Sequence, residues 1–159
     1  MVILKIILLL AFGLILYQDI KERQVFWFLF PLIALCAGML FYFGTVPELF
    51  YMAVLLNVGF VILLLLAVFL YGRLKLKTAF ARVFGLGDVL FFFAVCCSFS
   101  TVSFIVVFCS ALVFSLVLHL LLSKNQKSET VPLAGYMGLF FGLVYLGSWF
   151  GLVQSVYQI

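Results

Sequence analysis

The chain has 159 residues, 69% of them hydrophobic and 9% charged, with nine basic and five acidic side chains and a formal net charge of +4. Soluble domains are roughly half apolar and a quarter charged. This composition, with a mean hydropathy of +1.43, therefore excludes a soluble globule and predicts a single membrane domain over residues 1–159. The basic balance, with a pI near 9.0, would also suit a nucleic-acid partner, but the positions of the charges explain it without one.

A membrane-crossing helix takes about 20 mostly apolar residues, with a lower bound near 17. In chain order the candidate stretches are 2–18, 25–43, 49–71, 87–101, 103–122 and 132–154. The first ends in Leu16-Tyr17-Gln18 with no small-residue cleavage site, so it reads as a retained helix rather than a signal peptide. Residues 89–122 as one helix would measure roughly 51 Å at ~1.5 Å per residue, too long for one crossing of about 30 Å. A break is expected at Ser98-Phe99-Ser100-Thr101-Val102-Ser103, giving two short helices and a tight turn.

The basic residues test this division. Lys21 and Arg23 fall between the first two stretches, Arg73, Lys75, Lys77 and Arg82 between the third and fourth, and Lys124 and Lys127 between the last two. Only Lys5 departs from this alternation. The positive-inside rule then puts those loops in the cytoplasm and both termini outside. The expected fold is an all-α membrane protein, a bundle of six transmembrane helices. Residues 72–83, basic and partly apolar, suit an interfacial segment or a solvated loop equally.

The cysteines, Cys36, Cys96, Cys97 and Cys109, lie inside apolar stretches and form no C-x-x-C pair. They read as small packing residues rather than a zinc or disulfide framework, and no metal or cofactor is expected. Asn57 should make a helix–helix hydrogen bond, and Glu48 should complement a helix dipole. His119 reads as packed or snorkelling, and Glu22 as a solvated loop charge. Gly135, Gly138, Gly142, Gly147 and Gly151 are spaced for close helix packing.

Two acids stand apart. Asp19 closes the first stretch, and Asp88 closes the turn Gly85-Leu86-Gly87-Asp88 that opens the fourth. The topology puts both on the cytoplasmic side at similar depth. Ionisable groups at or inside membrane segments are expensive and point to function. Two adjacent carboxyls cannot both ionise cheaply, so one keeps its proton while the other serves as a base. Such a pair can activate water and polarise a peptide carbonyl or protonate a leaving amine. Gly85 and Gly87 permit backbone angles that would present Asp88 at a fixed height. The plainer alternatives are an N-cap role for Asp88 and a juxtamembrane charge for Asp19.

Three motifs resemble those of the prepilin peptidases. Asp19 with Lys21, Arg23 and Val25 is similar to their first motif, an aspartate followed by basic residues and an apolar position. Phe84-Gly85-Leu86-Gly87-Asp88-Val89 is similar to their G-x-G-D signature, and Val131-Pro132-Leu133-Ala134-Gly135-Tyr136-Met137 to their proline-led third motif. The chain departs from the family pattern at Phe26-Trp27, where Pro-Asn is usual, at Leu90 in place of a lysine, and at Gly135 in place of a second proline.

The resemblance covers essentially the whole chain. It implies an aspartic endopeptidase in a bacterial or archaeal cytoplasmic membrane. Such an enzyme removes the short basic leader of type IV prepilin-like or pseudopilin substrates, with Asp19 and Asp88 catalytic and Lys21, Arg23 and Pro132 facing substrate. The methyltransferase segment of longer members is absent, so N-methylation is not expected. Rival readings keep the same acids. One is a presenilin-type G-x-G-D protease, normally much longer and with its acids deeper in mid-helix. The others are a non-catalytic membrane scaffold and a proton-coupled transporter subunit.

Overall fold

A computed structural model describes residues 1–76, 85–122 and 132–151. Among these residues it is all-helical. The helices are α1 (Val2–Lys21), α2 (Leu29–Gly44), α3 (Pro47–Tyr71), α4 (Leu86–Val95), α5 (Thr101–Leu122) and α6 (Leu133–Trp149), with a π-helical turn over Gly72–Leu76 after α3. Lys77, Arg82, Phe84, Lys124, Lys127 and Val131 lie outside the described residues. So does most of the 72–83 segment.

Three helices, α1, α3 and α5, are long and apolar enough to cross a membrane. Their outward faces carry Ile6, Leu10, Leu55, Leu63, Val106 and Val113, all more than half exposed. Helices that are apolar on the outside as well as the inside suit lipid rather than water. The other three are shorter: α2 has 16 residues, α6 has 17 and α4 only 10. At ~1.5 Å per residue, α4 covers about 15 Å.

Local chemistry sets several ends. Pro47 opens α3 at a position where the missing N–H is not needed, and Glu48 supplies a negative charge to the first turn. α4 stops earlier than hydropathy predicts, with the break at Cys96–Ser100. The rings of Phe92 and Phe108 lie 5.0 Å apart, so the chain reverses between α4 and α5. The buried Asn57 holds that turn, donating from Nδ2 to the carbonyls of Cys96 (2.9 Å) and Phe99 (3.1 Å). The expected helix–helix bond of Asn57 is thus a clamp on non-helical backbone.

α1 and α6 run antiparallel. Lys5 sits over the Trp149 ring at 4.9 Å, while at the other end Asp19 meets Gly135. Gly138 and Gly142 admit Phe12 between the two helices, with Phe12 side-chain atoms 3.5 and 3.9 Å from where their Cβ atoms would stand. Gly151 does not pack this way. It ends α6 in the left-handed region at φ 73°, with open space beside it. Rings of Phe12, Phe91 and Phe141 meet edge-on or tilted at 6.1–6.4 Å, tying α1, α4 and α6 into one core.

Candidate active site

The aromatic core fixes the ends of three helices against one another, and both acids stand at that junction. Asp19 lies in the last turn of α1, beyond the apolar run that ends at Tyr17. Asp88 lies in the first turn of α4. α6 begins between them. Its N-cap residue is Pro132, which provides no side-chain cap. The first amides of a helix lack intrahelical partners, and here the two acids supply them. The Ala134 N–H donates to Asp88 Oδ1 (3.1 Å), and the Gly135 N–H donates to Asp19 Oδ2 (2.7 Å).

Asp88 is not the N-cap of its own helix. Gly85 holds that position, and Asp88 stands three residues on, where its carboxylate also accepts a bond from the Gly85 backbone N–H. This is one half of a capping box. The expectation that Gly85 and Gly87 are needed for unusual backbone angles does not hold. Gly85 is ordinary extended chain at φ −69°, ψ 146°, and among the described residues Gly151 is the only glycine with positive φ. The tight point at Gly85 is space, since a Cβ there would stand 3.3 Å from Asp88 Oδ2.

Burial raises the pKa of both acids. Asp88 is pushed up to about 6, first by burial and then by the charge of Asp19, against the opposing bonds from Ala134 and Gly85. Asp19 is raised by burial, with the Gly135 N–H and the Arg23 charge pulling the other way. The charge of Asp19 thus bears on the protonation of Asp88. Asp19 has the shorter amide bond and a cation nearby, so it is the partner favoured for the negative charge.

The remaining predicted residues are placed as follows. Arg23 is half-buried, adopts φ 55° and lies close enough to bias Asp19. Lys21 turns away, donating from Nζ to the Tyr17 hydroxyl at 2.7 Å. Pro132 is buried at the start of α6. Phe26, Trp27 and Phe28 form an exposed turn, with Trp27 74% accessible. Gln18, which the sequence did not single out, fastens that turn beside Asp19 by accepting the Phe26 N–H at 3.1 Å. Its only sequence signal is an amide side chain at the end of an apolar helix.

Among the described residues, no three His, Cys, Asp or Glu side chains converge as metal ligands. Comparison with family models, curated proteins and solved structures finds no match for this chain.

Proposed function

We propose that the chain is a membrane aspartic endopeptidase of the prepilin-peptidase kind. It would cut prepilin-like substrates between a short basic leader and an apolar helix, at the cytoplasmic face of a bacterial or archaeal membrane. The observation that carries this reading is the pairing of two electrostatically coupled, half-buried carboxyls at one helix end. The six apolar helices would form one bundle with both termini outside. In this topology Asp88 would stand at the cytoplasmic end of α4, on the same side as Asp19.

In this reading Asp19 is the base and Asp88 the acid. Asp19 takes a proton from a water, whose oxygen attacks the scissile carbonyl carbon. Asp88 donates a hydrogen bond, then its proton, to the carbonyl oxygen as the tetrahedral adduct forms. Collapse breaks the C–N bond as the proton gained by Asp19 passes to the leaving amine, and one hydroxyl of the adduct returns a proton to Asp88 as the new carboxyl C=O forms. The Ala134 and Gly135 amides would hold the two carboxyls in position for these steps.

A second reading is favoured by the same hydrogen bonds. The acids could serve only to cap α6 in a non-catalytic scaffold, since Pro132 leaves that helix without a cap of its own. Cleavage of a co-expressed prepilin-like substrate, read as a leader-length mass shift, separates the two. Asn keeps an acceptor oxygen for the amide but loses the acid chemistry. A peptidase loses cleavage in both Asp19→Asn and Asp88→Asn while staying folded. Wild-type protein that is folded yet inert on several substrates supports the scaffold.

A further inference from the structure

The turn between α4 and α5 carries polar groups that the two acids do not use. Asn57 on α3 and Ser98 in the turn are both 0% exposed. The two carbonyls that Asn57 bonds, those of Cys96 and Phe99, bracket Ser98 along the chain. Asn57 and Ser98 therefore meet at one buried turn. Two acceptors on one side fix which way round the amide lies, with Nδ2 toward the turn. Tyr145 closes another side, its hydroxyl donating to the Ser98 carbonyl at 3.4 Å. At this turn Asn57 Oδ1 and Ser98 Oγ have no partner among the described residues.

A buried carbonyl oxygen and a buried hydroxyl left unpaired each bear a desolvation penalty. Non-helical backbone at membrane depth persists only where its polar groups are satisfied inside the protein. A single water meets the requirement of both atoms. It donates to Asn57 Oδ1 and accepts from Ser98 Oγ, and its second hydrogen can reach a spare lone pair of the Cys96 or Phe99 carbonyl. Buried waters typically make about three such bonds.

We propose that Asn57 and Ser98 form a sealed binding site for one ordered water that locks α3 to the α4–α5 turn. The site is independent of the peptidase reading and survives if that reading fails.

Hydroxyl-radical footprinting of the full chain in lipid nanodiscs tests it, because radiolysis of a bound water labels the side chains around it. Phe99 and Tyr145 adjoin the site, while Phe108 is equally buried but packed among Phe60, Phe92 and Phe104. The expected result is labelling of Phe99 and Tyr145 several-fold above Phe108, falling to the Phe108 level in Ser98→Ala, with a lowered thermal midpoint. Labelling no higher than that of Phe108 overturns the proposal, and so does labelling that ignores Ser98→Ala. A raised midpoint in Ser98→Ala would also overturn it, marking the hydroxyl as a dry orphan. A lowered midpoint without labelling has the same effect, since it means a direct Ser98–Asn57 bond.

Discussion

Asp19 and Asp88 grip consecutive amides of a single helix. The first takes Gly135 and the second Ala134, so two distant parts of the chain meet on adjacent residues of a third. Capping contributes typically about 1 kcal/mol per side chain. Asp19→Ala and Asp88→Ala are therefore expected to lower stability by roughly that amount each, and the Asn variants by less. Thermal unfolding in detergent, run beside the cleavage assay, would separate the structural share of each acid from its chemical share.

Gly135 has no room for a side chain. A Cβ there would stand 3.1 Å from Asp19 Cβ, 3.2 Å from its Oδ2 and 3.4 Å from the Leu16 Cα. Gly135→Ala is expected to displace Asp19, to destabilise by about 1–3 kcal/mol as overpacking does, and to slow cleavage. Gly138→Ala is the control, because its nearest contact is 3.5 Å to the Phe12 ring. If the two substitutions behave alike, the contact at Asp19 is not the tight one.

The pH dependence has a definite sign. Asp88 rises from 3.8 to about 6 in the folded state, so between those values the native chain binds more proton than the unfolded chain. Stability then falls as pH rises through that window, and Asp19, also raised, adds to the trend. The thermal midpoint is expected to be higher at pH 4.5 than at pH 7.5, with a flatter profile in Asp88→Asn. Cleavage that needs protonated Asp88 is expected to decline above about pH 6.

Asn57→Leu removes both donors to the α4–α5 turn. Two buried carbonyls left unpaired, at ~1–3 kcal/mol each, predict a loss of roughly 2–5 kcal/mol. Asn57→Gln can recover part of it. A loss below 1 kcal/mol by chemical or thermal unfolding would mean that the turn finds other partners.

Trp27 is 74% exposed in the turn after α1, and tryptophans of membrane proteins favour the headgroup region. In a Trp149→Phe background, leaving Trp27 as the sole tryptophan, its fluorescence is expected to be blue-shifted and quenched most by lipids brominated near the headgroup. Red-shifted emission quenched by aqueous iodide would place this turn in water instead.

The helices could be read from sequence because long apolar runs have few other fates. α3 starts at Pro47 and α5 ends at Leu122, both within two residues of expectation. α4 was overestimated, because Cys96, Cys97 and Phe99 are as apolar as helix residues and hydropathy does not register a turn. The positions of the two acids were legible as rare charges beside apolar runs. Their shared partner was not, since a backbone N–H has no letter in a sequence. Lys21 was legible only as a charge. Its charge suggested a role facing substrate, and its contacts with the Tyr17 hydroxyl and ring could not be read from spacing alone.

Pro132 at the head of α6 has a consequence for assembly. α6 is the last of the described helices to be made, and its own leading residue leaves its first amides without a side-chain cap. Those amides find acceptors only when the ends of α1 and α4 are already side by side. The seating of α6 is therefore conditional on the other two helices: any arrangement that keeps Asp19 and Asp88 apart leaves its leading amides without both acceptors.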